Sequence, residues 1–84
     1  MNLFMHNGSI PLSSLNLGEK CKVKTLISDG LVRRRMLDLG LIHDTVIEPL
    51  QKSPSGDPVA YLIRGAVIAL RKDVASMILV ETFK

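Results

Sequence analysis

The chain is predicted to be mainly β, a small five-stranded barrel with one short inserted α-helix. Three observations lead there. Five short apolar-rich segments of even spacing run from Lys20 to Thr82, divided by turns rich in glycine, proline and serine. A single stretch of any length, Gly30 to Leu39, has helical rather than alternating spacing. Finally, an open sheet built from only 84 residues would leave edges exposed and one face unburied, whereas closure removes the edges and hides the alternating Ile, Val and Leu.

Each element has its own warrant. Residues 1–9 carry Asn, Gly and Ser without periodicity and are expected to form a loose arm, which places the domain at residues 10–84. Pro11 to Leu15 has leucines at three-residue spacing before Gly18, which suits one helical turn entering a bend. Between Lys20 and Ile27, Cys21, Val23, Thr25 and Ile27 alternate with Lys20, Lys22 and Lys24, so a half-buried strand is expected with its lysines in water. Ser28 and Asp29 offer a side-chain oxygen to the free amides of the following helix, and Gly40 can take the left-handed conformation that ends it, with Leu41 making the accompanying apolar contact. Within that helix Val32, Met36 and Leu39 form a stripe expected to dock on the sheet, Arg34 and Asp38 lie opposite, and Leu37 stands off the stripe. A helix of about three turns is marginal alone, so docking has to hold it. Strands follow at Thr45 to Leu50 and Val59 to Arg64, joined by the turn-forming run Ser53 to Pro58. Gly65, a strand at Val67 to Leu70, a helical turn at Lys72 to Met77 and a fifth strand at Ile78 to Thr82 complete the chain.

Composition narrows the function classes. With 46% hydrophobic residues the chain can offset its ordering entropy by burial and should fold alone. Cys21 is the lone cysteine and cannot form an internal disulfide; with no basic, long apolar leader at the start, the expectation is a cytoplasmic protein. No segment approaches the roughly 20 apolar residues that cross a bilayer, so membrane association is expected only indirectly, through a partner or a surface contact. A net charge of +3 is mild, because the lysines and arginines are answered by Glu19, Asp29, Asp38, Asp44 and Glu48.

Chemistry-bearing constellations are scarce. His6, His43 and Cys21 do not share metal-ligand spacing, so no metal site is expected, and Cys21 reads as a small buried hydrophobe. His43-Asp44 reads as a turn in which Asp44 tolerates positive φ. The six glycines are scattered singly, unlike a phosphate-binding loop, so no nucleotide cofactor is expected. Phe4, Tyr61 and Phe83 are too few for base stacking or for a proline-recognition groove, so nucleic acid is not an expected partner. No nucleophile and base can be paired, and an enzyme is not expected. What remains is a surface: Arg33, Arg34 and Arg35 beside Leu37, the composition of a small interface with an apolar anchor. Two competing readings stand beside it. One is a wet helix face with Arg34 and Asp38 paired, and the other has Leu12 to Leu17 covering Leu37.

In order and spacing, Pro11-Leu12-Ser13, Gly18-Glu19, Arg34 to Leu41, Gly56-Asp57-Pro58, Arg64-Gly65, Ala69-Leu70-Arg71 and the final strand resemble the FeoA family of bacterial ferrous iron transport systems. One departure is His43-Asp44, where the family commonly has Pro-Gly. The resemblance implies an SH3-like barrel acting as an accessory to a membrane Fe²⁺ permease whose cytosolic part is a GTP-binding domain. On that footing Arg33, Arg34, Leu37 and Asp38, with Gly56, Asp57 and Pro58 at the hairpin tip, are the candidate partner contacts. The alternative is a regulatory domain related to the C-terminal SH3-like domain of iron-dependent repressors. Apolar edge residues on so small a barrel leave self-association open.

Overall fold

The computed structural model describes residues 9–83. The expected arm at residues 1–9 therefore lies, apart from Ser9, outside the described residues, as do His6 and Phe4. In chain order the elements are β1 (Ile10–Pro11), a single 3-10 turn (Leu12–Ser14), β2 (Cys21–Leu26), α1 (Gly30–Asp38), β3 (Val46–Lys52), β4 (Val59–Ile63), β5 (Ala66–Leu70), α2 (Lys72–Ala75) and β6 (Ile78–Thr82). The strands form one antiparallel sheet in the order β1-β6-β2-β3-β4-β5.

The mainly β class with an inserted helix is as expected, but two features of the barrel are corrected. A sixth strand, β1, pairs Ile10 with Val80 and Pro11 with Leu79, and a two-residue strand carries no period from which a sequence could reveal it. The sheet also does not close, since β1 and β5 end the order with no pairing between them. Closure is replaced by covering. The 3-10 turn sends Leu12 and Leu15 into the core, where they join Cys21 and Val23 of β2, Ile47 of β3, Tyr61 and Ile63 of β4, Leu70 of β5, and Ile78 and Val80 of β6.

Two irregularities re-aim side chains. The β2–β6 register shifts between Val23 and Thr25, so the inward alternation of Cys21 and Val23 passes to Leu26, leaving Thr25 and Ile27 exposed. The expectation that Thr25 and Ile27 are buried thus fails because of a bulge set by the partner strand. The β3–β4 register likewise shifts between Pro49 and Gln51. A proline cannot donate to the ladder, and here its carbonyl instead accepts the Gly18 amide at 2.7 Å.

The end of α1 follows from its sequence. Gly40 takes φ +91, its amide donates to the Leu37 carbonyl at 2.9 Å, and the Leu41 amide donates to the Met36 carbonyl at 3.0 Å while the Leu41 side chain is fully buried. The start differs from expectation. Asp29 occupies the N-cap position without a side-chain cap, and the Ser28 hydroxyl turns instead to the Met36 sulfur at 3.6 Å. Docking differs as well: Met36 is the one buried residue of α1, while Val32 and Leu39 stay exposed.

Candidate functional site

α1 stands between two grooves; of its candidate contact residues, Arg33 and Leu37 line one, and Arg34 and Asp38 line neither. On the side of β2, Arg33 and Leu37 line a hollow of about 170 Å³ with Val23 to Leu26 and the Leu41 to His43 loop. The Arg33 guanidinium donates to the Leu26 carbonyl at 3.3 Å, which anchors that side chain to the end of β2. Leu37 is 39% exposed and shares this hollow with the Leu41 to His43 loop; the Leu12 to Leu17 segment does not line it. Arg34 and Asp38 are exposed and, among the described residues, form no ion pair with each other.

Gly56, Asp57 and Pro58 sit in the β3–β4 connection, apart from both grooves. Asp57 is engaged within the fold. Its Oδ1 accepts the Lys72 amide at 2.8 Å, satisfying a free N–H at the start of α2, and its Oδ2 lies 3.9 Å from Arg71 Nη1. The hairpin tip is thereby tied to α2, not to the arginine-bearing helix.

Helical spacing alone does not reveal the second groove. About 310 Å³ in volume, it runs between α1 and the β5–α2 junction, with Val32, Met36 and Leu39 on one wall and Ile68, Leu70 and Val74 on the other. Arg35 and Arg71 are the charged residues that line it. The spacing does mark Val32, Met36 and Leu39 as one stripe; what faces that stripe comes from about thirty residues downstream and leaves no local trace. A shallower hollow of about 360 Å³ near Lys20, Glu48 and Arg64 mixes both signs of charge.

The most connected charged group borders the β2-side hollow, which Lys24 and His43 help to line. Lys24 Nζ bridges Asp44 Oδ1 at 3.3 Å and Glu81 Oε1 at 3.4 Å, and His43 Nε2 lies 3.5 Å from the same Asp44 oxygen. Asp44 takes φ +69, as expected of a turn aspartate. Its hydrogen bond from Lys24 holds the carboxyl below its ordinary range, and Asp44 in return raises the lysine. Among the described residues no group of three or more His, Cys, Asp or Glu is placed to hold a metal ion. Cys21 is buried, and loss of solvent pushes its thiol up to about 12, which keeps it protonated. No helix among the described residues is long and apolar enough to cross a membrane.

Comparison with known proteins accords with this geometry. A curated relative, the Fe(2+) transport protein A/Fe(2+) transporter FeoB fusion protein of Porphyromonas gingivalis, is 34% identical over 70 residues, covering 83% of this chain; the match spans only 8% of that protein. The solution structure of a FeoA-like protein from Clostridium acetobutylicum superposes with a TM-score of 0.85 at 35% identity, over 94% of this chain and 92% of that one. A zinc-complexed FeoA from Stenotrophomonas maltophilia, described as a prokaryotic SH3 domain protein, gives 0.77 at 24% identity over 86% and 89% of the two chains, a likeness of fold. A manganese-dependent transcriptional repressor shares the fold at 0.81 and 20% identity, over 94% of this chain and 44% of its own. Residues 10–82 match the FeoA domain, and with an SH3-like sheet, an inserted helix and these relatives, the chain belongs to the FeoA domain family.

Proposed function

We propose that this protein is an accessory component of ferrous iron uptake that binds the cytosolic region of a GTP-binding Fe²⁺ permease and modulates transport. The observation that carries the reading is covalent. In the Porphyromonas gingivalis relative a segment like this chain is joined to the transporter in one polypeptide, an arrangement that gives two partners a high effective concentration. The action is by contact, without turnover by the domain itself, and takes place at the cytoplasmic face of the membrane through the partner. The α1 surface of Arg33, Arg34, Leu37 and Asp38 is the proposed contact, with Gly56, Asp57 and Pro58 as a second, separate patch.

Leu37→Glu tests this surface. A charge at a partly covered apolar anchor costs a typical interface about 2 kcal/mol or more. Co-purification of the permease with the variant should fall by more than tenfold while the circular dichroism spectrum and melting transition stay close to wild type. Undiminished co-purification rejects the surface. Failure of the wild-type protein to associate with the permease rejects the function.

A further inference from the structure

The two edges of the open sheet are not alike. β1 is two residues long and contains Pro11, which blunts that edge. β5 is the five-residue run Ala66-Val67-Ile68-Ala69-Leu70, free of proline and charge, with Val67 66% exposed. Its ladder runs to β4, and among the described residues no other backbone hydrogen bond reaches Ala66 to Leu70. The amides and carbonyls on its far side are therefore available to a strand, and none of the usual protections occurs within β5.

We propose that β5 takes up an extended segment of a partner polypeptide as a further strand, an apolar core flanked by carboxylates, lying in the groove between β5 and α1. Side chains at alternate positions of an added strand point to one face, and there they would meet Val32, Met36 and Leu39. Charge selects the occupant. Cationic Arg35 and Arg71 line the groove, and β5 is bracketed in sequence by Arg64 on one side and by Arg71 and Lys72 on the other. Asp57 Oδ2 pairs with Arg71 only at 3.9 Å, and the Arg71 side chain is 69% exposed, which leaves guanidinium donors for a second carboxylate. A second copy of this chain, paired antiparallel about Ile68, would set Arg64 opposite the other copy's Lys72 at both ends, juxtaposing like charges. A strand with acidic ends meets the same cations favourably.

This rests on reading the domain as a binding module, and its test needs no permease. The isotope-labelled full chain is titrated with a blocked peptide Glu-Val-Thr-Val-Glu and, separately, with Lys-Val-Thr-Val-Lys, while amide shifts and hydrogen exchange are followed. The acidic peptide should shift Ala66 to Leu70, slow exchange along β5, and bind at least tenfold more tightly than the basic one. The exposed double substitution Arg35→Glu with Lys72→Glu should reverse that preference while leaving the β4–β5 amide pattern intact. Equal affinity for the two peptides, shifts confined to the Leu37 side of α1, or no shift at millimolar peptide would overturn the proposal. Concentration-dependent β5 shifts without peptide would name a second copy as the occupant and overturn it too. Failed peptide binding with intact permease co-purification removes this inference alone, whereas the opposite pair of results removes the permease reading alone.

Discussion

Gly40 shows how much one position can be asked to do. It combines φ +91 with close approach to Arg64, whose Cδ a β-carbon at Gly40 would strike. Gly18 has nearly the same backbone, φ +83, with nothing within 4 Å. Gly18→Ala should therefore cost about 1–2 kcal/mol from the left-handed conformation alone. Gly40→Ala should cost more, and chemical denaturation of the two variants would measure the difference, which is the work of displacing Arg64. Equal losses would mean that the arginine moves aside freely. Cys21 gives a prediction in pH. Burial pushes its folded thiol up to about 12 from an ordinary 9.0, so above pH 9 the unfolded chain loses the proton that the folded chain keeps. Stability is full below pH 9 and should decline toward pH 12 with a slope approaching about 1.4 kcal/mol per pH unit. Denaturation midpoints across that range should show the decline, and Cys21→Ala should abolish this component of it. Asp44 acts at the other end: its lowered carboxyl contributes stability above the ordinary carboxylate range that is lost as pH falls through its folded value.

At the scale of elements, α1 and α2 are held by few contacts, and those contacts are nameable. α2 is four residues long, with Ala75 buried and the Asp57 carboxylate accepting its first amide. Asp57→Ala should cost about 1 kcal/mol, as loss of a capping acceptor does, with faster amide exchange concentrated at Lys72. α1 depends on Met36. Met36→Ala should cost about 2–3 kcal/mol, in the range for truncating a buried methionine, and should free the α1 amides while β2, β3 and β6 stay protected. Uniform loss of protection would show instead that helix and sheet unfold as one.

For the whole molecule, what can be read from the sequence is what short stretches decide alone. The Gly40-Leu41 stop, the Asp44 turn and the strands at Val59 and Ile78 depend on neighbours a few residues away, and the structure has them close to where the residues place them. The bulge that redirects Thr25 is hidden, because β6 imposes it from more than fifty residues downstream. The missing closure is hidden for the same reason, since the fate of a sheet edge depends on what the distant elements cover. The arginine-rich helix is legible as a surface, but not its division into a β2 side holding Arg33 and Leu37 and a β5 side holding Arg35. The hairpin tip is a candidate contact by resemblance; the Asp57 hydrogen bond that ties it to α2 joins residues fifteen apart and leaves no local trace in the sequence.

The sparse anchoring of α1, by buried Met36 and the Arg33 hydrogen bond to the Leu26 carbonyl, has a consequence for dynamics. A nine-residue helix has little intrinsic persistence, and burying one methionine holds it with only about 2–3 kcal/mol. At that value the detached helix is expected in about one molecule in a hundred, and hydrogen exchange of the α1 amides faster than that of β2, β3 and β6 is the measurement that checks it. The distance between helix and edge strand is thus adjustable at small cost, as the gap of a calliper is, and a visitor of unknown thickness can be accommodated without disturbing the rest of the sheet.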